Sequence, residues 1–168
     1  MFWLGSSLYA CFGAKMRFLL YLWAILVSAC QFPDPPPGPV SLALKEELRI
    51  KKVTSIDLVT LTKFEWDELF LFSPYQPTQD VCRELVLSEE SCSRTIRVQS
   101  NDDGEMLMVF RKNGAIVHVE MHHRFHGDFS PTKQGQVISP RNGRYQVTQT
   151  STTSSGAPWL QLNQINGR

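Results

Sequence analysis

The sequence has little net charge. Seventeen Lys and Arg face sixteen Asp and Glu, for a formal charge of +1 at pH 7. That balance supplies neither the basic face of a nucleic-acid binder nor the polybasic cluster that grips anionic lipid heads. Cysteine is scarce as well, with four residues, at 11, 30, 82 and 92, none spaced as a zinc motif or as a redox pair with two intervening residues. There is no Gly-rich phosphate loop, no nucleophile elbow and no H-E-x-x-H metalloprotease motif, since neither His118 nor His122 is followed by Glu. Internal repeats are absent. A spanning helix needs roughly 20 apolar residues, and the apolar stretch Phe18 to Ala29 has twelve. These absences argue against nucleic acid as a partner, against a permanent transmembrane anchor and against the common enzyme classes.

What is present begins with Met16 to Cys30, MRFLLYLWAILVSAC. A short basic start (Met16, Arg17) leads into apolar Phe18 to Val27, and small Ser28 and Ala29 stand directly before a cysteine, the layout of an export signal. The order Val27-Ser28-Ala29-Cys30 resembles the lipobox of bacterial lipoproteins. The resemblance implies that residues 16–29 are a signal peptide cut before Cys30, that Cys30 is acylated, and that the acyl chains hold the protein to a membrane. It also implies the outer membrane, facing the periplasm, because Gln31 stands where an aspartate favours inner-membrane retention. The rival readings are an ordinary secretory signal and a chance apolar segment. A signal starting at Met1 would carry its charges, Lys15 and Arg17, in its middle, so Met16 is the expected start and residues 1–15, Cys11 included, an upstream extension.

After Cys30, residues 31–39 (QFPDPPPGP) hold five prolines in nine positions. Such a stretch favours extended polyproline conformation at about 3.1 Å per residue, a spacer of roughly 30 Å. Residues 40–168 have the size of one ordinary domain.

Within that body, residues 41–52 suit a short helix and 56–61 a short strand or turn. Trp66 to Phe72 reads as a core strand with Trp66, Glu68, Phe70 and Phe72 on one face. Thr78 is a plausible N-cap for a helix over 79–87 that buries Val81, Leu85 and Cys82. Asn113-Gly114, the preferred type I′ pair, predicts a hairpin between strands 105–112 and 115–125. In the second strand Val117, Val119, Met121, His123 and Phe125 look like core, and Ile116, His118, Glu120, His122 and Arg124 like the polar face. A loop over 129–142, a strand over 144–150, a polar loop over 151–158 and a short strand over 159–162 complete the chain. The fold class implied is α+β: a mainly antiparallel sheet with one or two packed helices.

The candidates for chemistry are few. Cys82 and Cys92, ten residues apart, read as a structural disulfide in an oxidising compartment, with free thiols and redox activity as the alternatives. All four histidines fall in HVEMHHRFH, 118–126. On a strand, His118, Glu120 and His122 project from one face and could offer three ligands to zinc or a related metal. The competing and preferred reading is a solvated polar face, with no cofactor. Trp66, Tyr75 and Trp159 are either a binding surface or core packing, the latter favoured.

FEWDELFLFSPYQP running into a helix with Cys82, together with MVFRKNGAIVHV, resembles small bacterial lipoproteins of unassigned activity. That resemblance covers about half of the body and carries no catalytic residue with it. The function expected is a lipid-anchored binding or structural module of the cell envelope with an envelope protein or ligand as partner. The alternatives are a metal-binding protein or metal-dependent hydrolase, and a binder of a small apolar ligand held between sheet and helix.

Overall fold

A computed structural model describes residues 35–133 and 136–165. The upstream extension, the signal, Cys30 and the spacer as far as Asp34 lie outside the described residues. The compact unit begins at Pro35, so the end of the proline run is already part of it.

Proline fixes φ near the helical value and lacks only an N–H that a first turn leaves orphaned, which suits it to open a helix. Pro39 does so: α1 spans Pro39–Lys45 and runs on as a π turn, Glu46–Ile50. Strand β1 (Ser55–Asp57) leads directly into the single turn α2 (Leu58–Leu61), capped by Asp57, whose carboxylate accepts from Val59 N. The chain continues through β2 (Glu68–Phe72), α3 (Thr78–Glu84), α4 (Glu89–Thr95), β3 (Glu105–Lys112), β4 (Ala115–His123), β5 (Val137–Ile138), β6 (Arg144–Thr152) and β7 (Pro158–Gln164). The described residues therefore form an α+β domain with two antiparallel sheets, ordered β1-β6-β7 and β4-β3-β2-β5.

The four-stranded sheet is covered on both faces. On one, Phe70, Phe72, Leu107 and Val109 pack against Val81, Leu85 and Ile96 from α3 and the segment around α4. On the other, Leu69, Met106, Met108 and Phe110 meet Val40, Leu44 and Leu48 of α1 and its π turn, with Tyr145 and Leu162 from the three-stranded sheet. The disulfide Cys82–Cys92 joins α3 to α4 with 5.7 Å between Cα atoms.

Several expectations need correction. Trp66 lies before β2, and its ring packs at 5.6 Å against Phe110 in the α1-side core, on the opposite side of the sheet from Phe70 and Phe72. Thr78 is the first residue of α3 and Pro77 its N-cap; the Thr78 hydroxyl donates to Gln99. The helix stops at Glu84, and Val86 turns to φ 55°. Helix α4 occupies what reads as a turn, its first turn capped by Ser88, which accepts from Ser91 N at 3.3 Å. The loop over 129–142 contains β5, paired with Leu69 and Phe70. Strand β6 runs on to Thr152 and β7 begins at Pro158, so the polar loop is shortened to residues 153–157.

The hairpin forms between β3 and β4, with Asn113 at φ 50° and Gly114 at φ 78° as a type I′ turn requires. Its faces differ from the expectation. Phe110 pairs with His118 but Arg111 with Ile116, so Val117 is an extra residue in a bulge and is 45% exposed. Glu120 and His122, assigned to the solvated face, are buried at 5% and 0% exposure because α1 lies over them.

Candidate functional site

The row His118, Glu120, His122 is where the start of the domain is fastened. Helix α1 has no capping side chain of its own, since Gly38 occupies its N-cap, so its first N–H groups need partners from elsewhere. Pro39 has no N–H. Val40 N and Ser41 N donate to the two oxygens of the Glu120 carboxylate at 3.1 and 2.8 Å, and Leu42 N donates to Gly38 O at 2.9 Å. A carboxylate suits this position because the helix N-terminus carries partial positive charge, and hydrogen bonds to a charged acceptor contribute about 1.5 to 3 kcal/mol each. His118 Nε2 sits 2.7 Å from Glu120 Oε2 and its ring lies 4.7 Å from that of Phe64.

Gly38 makes the approach possible. Its N–H donates to Met121 O at 3.0 Å, and a Cβ there would fall 2.3 Å from Glu120 Cβ. No side chain other than hydrogen fits without moving the strand or the helix.

Ser41 is the second fastening. Its fully buried hydroxyl lies 3.0 Å from His122 Nδ1 and 2.9 Å from His126 Nδ1, and it accepts from His123 N at 3.1 Å. His122 Nε2 is 2.7 Å from Gly127 O. A carbonyl only accepts, so His122 carries its proton on Nε2 and accepts at Nδ1 from the Ser41 hydroxyl; Ser41 then accepts from His126 Nδ1–H. The hydroxyl has one donor and two acceptor sites in use. Burial holds His122 at a pKa of about 4, with the neighbouring His126 and His123 acting in the same direction and Gly127 O opposing. Burial likewise lowers His126, helped by His123 and Lys45.

This arrangement has fixed its reactive atoms. Both Glu120 oxygens serve the helix, both His122 nitrogens are committed, and no group of three His, Cys, Asp or Glu side chains among the described residues is placed to hold a metal ion. The proposed three-ligand row is therefore a packed polar cluster. Ser41 donates to an imidazole, as a nucleophile would, but no electrophile can reach a hydroxyl with no exposed surface.

The aromatic candidates have separate environments. Trp66 is core, its indole donating to Thr62 Oγ1 at 3.1 Å. Tyr75 is 54% exposed, beyond the end of β2. Trp159 on β7 donates to Asp128 Oδ2 at 2.8 Å. Asp128, which sequence reasoning left aside, is the centre of a second polar knot. It accepts both Nε and a terminal nitrogen of Arg124, at 3.1 and 2.9 Å, and Ser130 N at 2.9 Å. Burial raises its carboxyl, but Arg124, Ser130 N–H and Trp159 outweigh it, so the group titrates below the usual carboxylate range. The four-residue charge-pair signal applies to a helix with the acid first, so nothing local pointed to this knot.

Compared with protein-family models, curated proteins and solved structures, the chain matches none.

Proposed function

We propose that this chain is a lipid-anchored bacterial envelope protein whose folded body works as a binding or structural module. In this reading Cys30 is acylated after cleavage of residues 16–29, and the protein sits on the inner leaflet of the outer membrane facing the periplasm. The observation that carries it is the order of Arg17, the apolar run from Phe18 and the box Val27-Ser28-Ala29-Cys30. Two further features support it. The Cys82–Cys92 disulfide suits an oxidising compartment. In this reading attachment rests on acyl chains, each contributing about 0.8 kcal/mol per buried CH₂. The proline stretch runs into the domain at Gly38, where Met121 holds the Gly38 N–H and Glu120 those of Val40 and Ser41.

The mechanism is tethering. Confinement to a thin layer raises the effective concentration of the body against partners in the same envelope without new contacts.

The test is the intact mass of the full-length protein extracted from a bacterial membrane, with and without reduction and alkylation. A chain beginning at Cys30 with added acyl mass is expected. An unmodified chain beginning at Met1 or Met16 overturns the proposal.

A further inference from the structure

The π turn after α1 lies beside the three-stranded sheet, and between them runs a groove of about 620 Å³, within the range of small-ligand sites. Its floor is apolar: Leu48 and Val53 on one side, Val147 and Leu160 on the other. Its remaining charged lining is of one sign. Lys45, Arg49 and Lys52 border it, and no carboxylate does.

These three cations border the same groove, where like charges repel. The acidic residues between Lys45 and Arg49 act elsewhere, Glu47 pairing with Lys51 at 2.7 Å and Glu46 adding to the same lysine's field. Arg49 is spent on neutral acceptors: its guanidinium donates to Phe125 O and Pro158 O and lies 3.9 Å from the Phe125 ring centroid. Its charge is thus fixed in place without being neutralised. Lys45 and Lys52 have no ion-pair partner among the described residues. The widened π turn, a geometry often found at functional sites, brings Leu48, Arg49, Lys52 and Val53 to the same groove.

We propose that this groove binds a long-chain fatty carboxylate, its acyl chain on the Leu48, Val53, Val147 and Leu160 floor and its carboxylate among Lys45, Arg49 and Lys52. An anion there relieves the mutual repulsion of three cations, and an apolar chain removes the floor from water. A neutral amphiphile would gain only the second effect. This site is separate from the Glu120 and Ser41 cluster, and it does not depend on acylation of Cys30.

The experiment uses the full-length chain in non-ionic detergent, photolysed with either a diazirine-bearing hexadecanoate or the matching hexadecanol, followed by peptide mapping of adducts. The carboxylate probe is expected to label the groove segments about tenfold more than the alcohol, the order of two partly solvated ion pairs. Lys45→Gln with Lys52→Gln, which leaves the structural bonds of Arg49 intact, should remove most of that preference. Ala157→Trp, which fills the groove from its rim, should remove the labelling. Adducts scattered over the surface, equal labelling of the groove by the alcohol, or an undiminished preference in the double variant would each overturn the proposal.

Discussion

Glu120 and Ser41 stand 79 residues apart in the chain and meet through a 2.8 Å hydrogen bond from the Ser41 N–H to the Glu120 carboxylate. That bond, with the one from Val40 N, turns a charged residue in the middle of a strand into the cap of a helix in another layer.

Replacing Glu120 by Ala leaves two helix N–H groups and His118 without their acceptor in a buried place. The expected loss is about 3 kcal/mol, the scale of breaking a buried charged contact, read as a lower urea midpoint. Amide exchange at Val40 and Ser41 should accelerate more than exchange at Val109, in the centre of β3. Unchanged exchange at both positions would remove the capping role.

Gly38→Ala tests the close approach by size alone. With its Cβ 2.3 Å from that of Glu120, the variant should lose roughly 1 to 3 kcal/mol, the usual cost of overpacking. Gly156→Ala should behave differently. Nothing lies within 4 Å of its added Cβ, and only its φ of 81° resists. The comparison separates contact from backbone strain.

Lowering the pH should destabilise the domain before its carboxylates titrate. His122 has a folded pKa of about 4 against 6.5 for a free imidazole, so above 6.5 both states are neutral and its contribution is fully present. Between these values the unfolded chain takes up a proton that the folded chain refuses. Stability then falls by on the order of 3 kcal/mol by the time pH reaches 4. His126, lowered in the same direction, adds to the slope, and Asp128, held below its usual range, extends the loss to lower pH. Urea midpoints measured from pH 7.5 to 4 should fall, and His122→Gln should flatten the curve in that window.

Reduction of Cys82–Cys92 removes a short covalent loop from the unfolded chain's restrictions. A Cys82→Ala, Cys92→Ala variant should lose about 2 to 3 kcal/mol. The protection lost first should be that of the α3 and α4 amides, since the bridge lies between those helices and the Phe70, Phe72, Leu107 and Val109 face.

Local chemistry was legible where one signal dominated. Asn113-Gly114 predicts the hairpin because both residues tolerate the positive φ that a type I′ turn demands, whereas Pro39, which reads as the end of the extended spacer, is the first residue of α1. Side-chain alternation along β4 was misleading for two physical reasons. An antiparallel strand reads as half-polar only when one face meets water, and here α1 covers the face bearing Glu120 and His122. The bulge at Val117 then shifts one apolar residue out of the series. Helix α4 had a readable start in Ser88-Glu89-Glu90, a capping serine followed by acids in the first turn, overlooked beside the disulfide. The polar cluster itself was visible as a concentration of histidines in one segment. Its partner Ser41 was not, because nothing local ties residue 41 to residues 120–126.

The fastening of the first helix also determines how the domain would respond to being pulled. Tension arriving along the chain ahead of Gly38 meets the bond from Gly38 N to Met121 O and the two bonds from Val40 and Ser41 to Glu120 within four residues. These contacts share the load instead of breaking one after another from a frayed end. Because Glu120 and Met121 belong to a strand paired along β3, a force on the leading segment is carried straight into the sheet, and the first helix is protected from being peeled away.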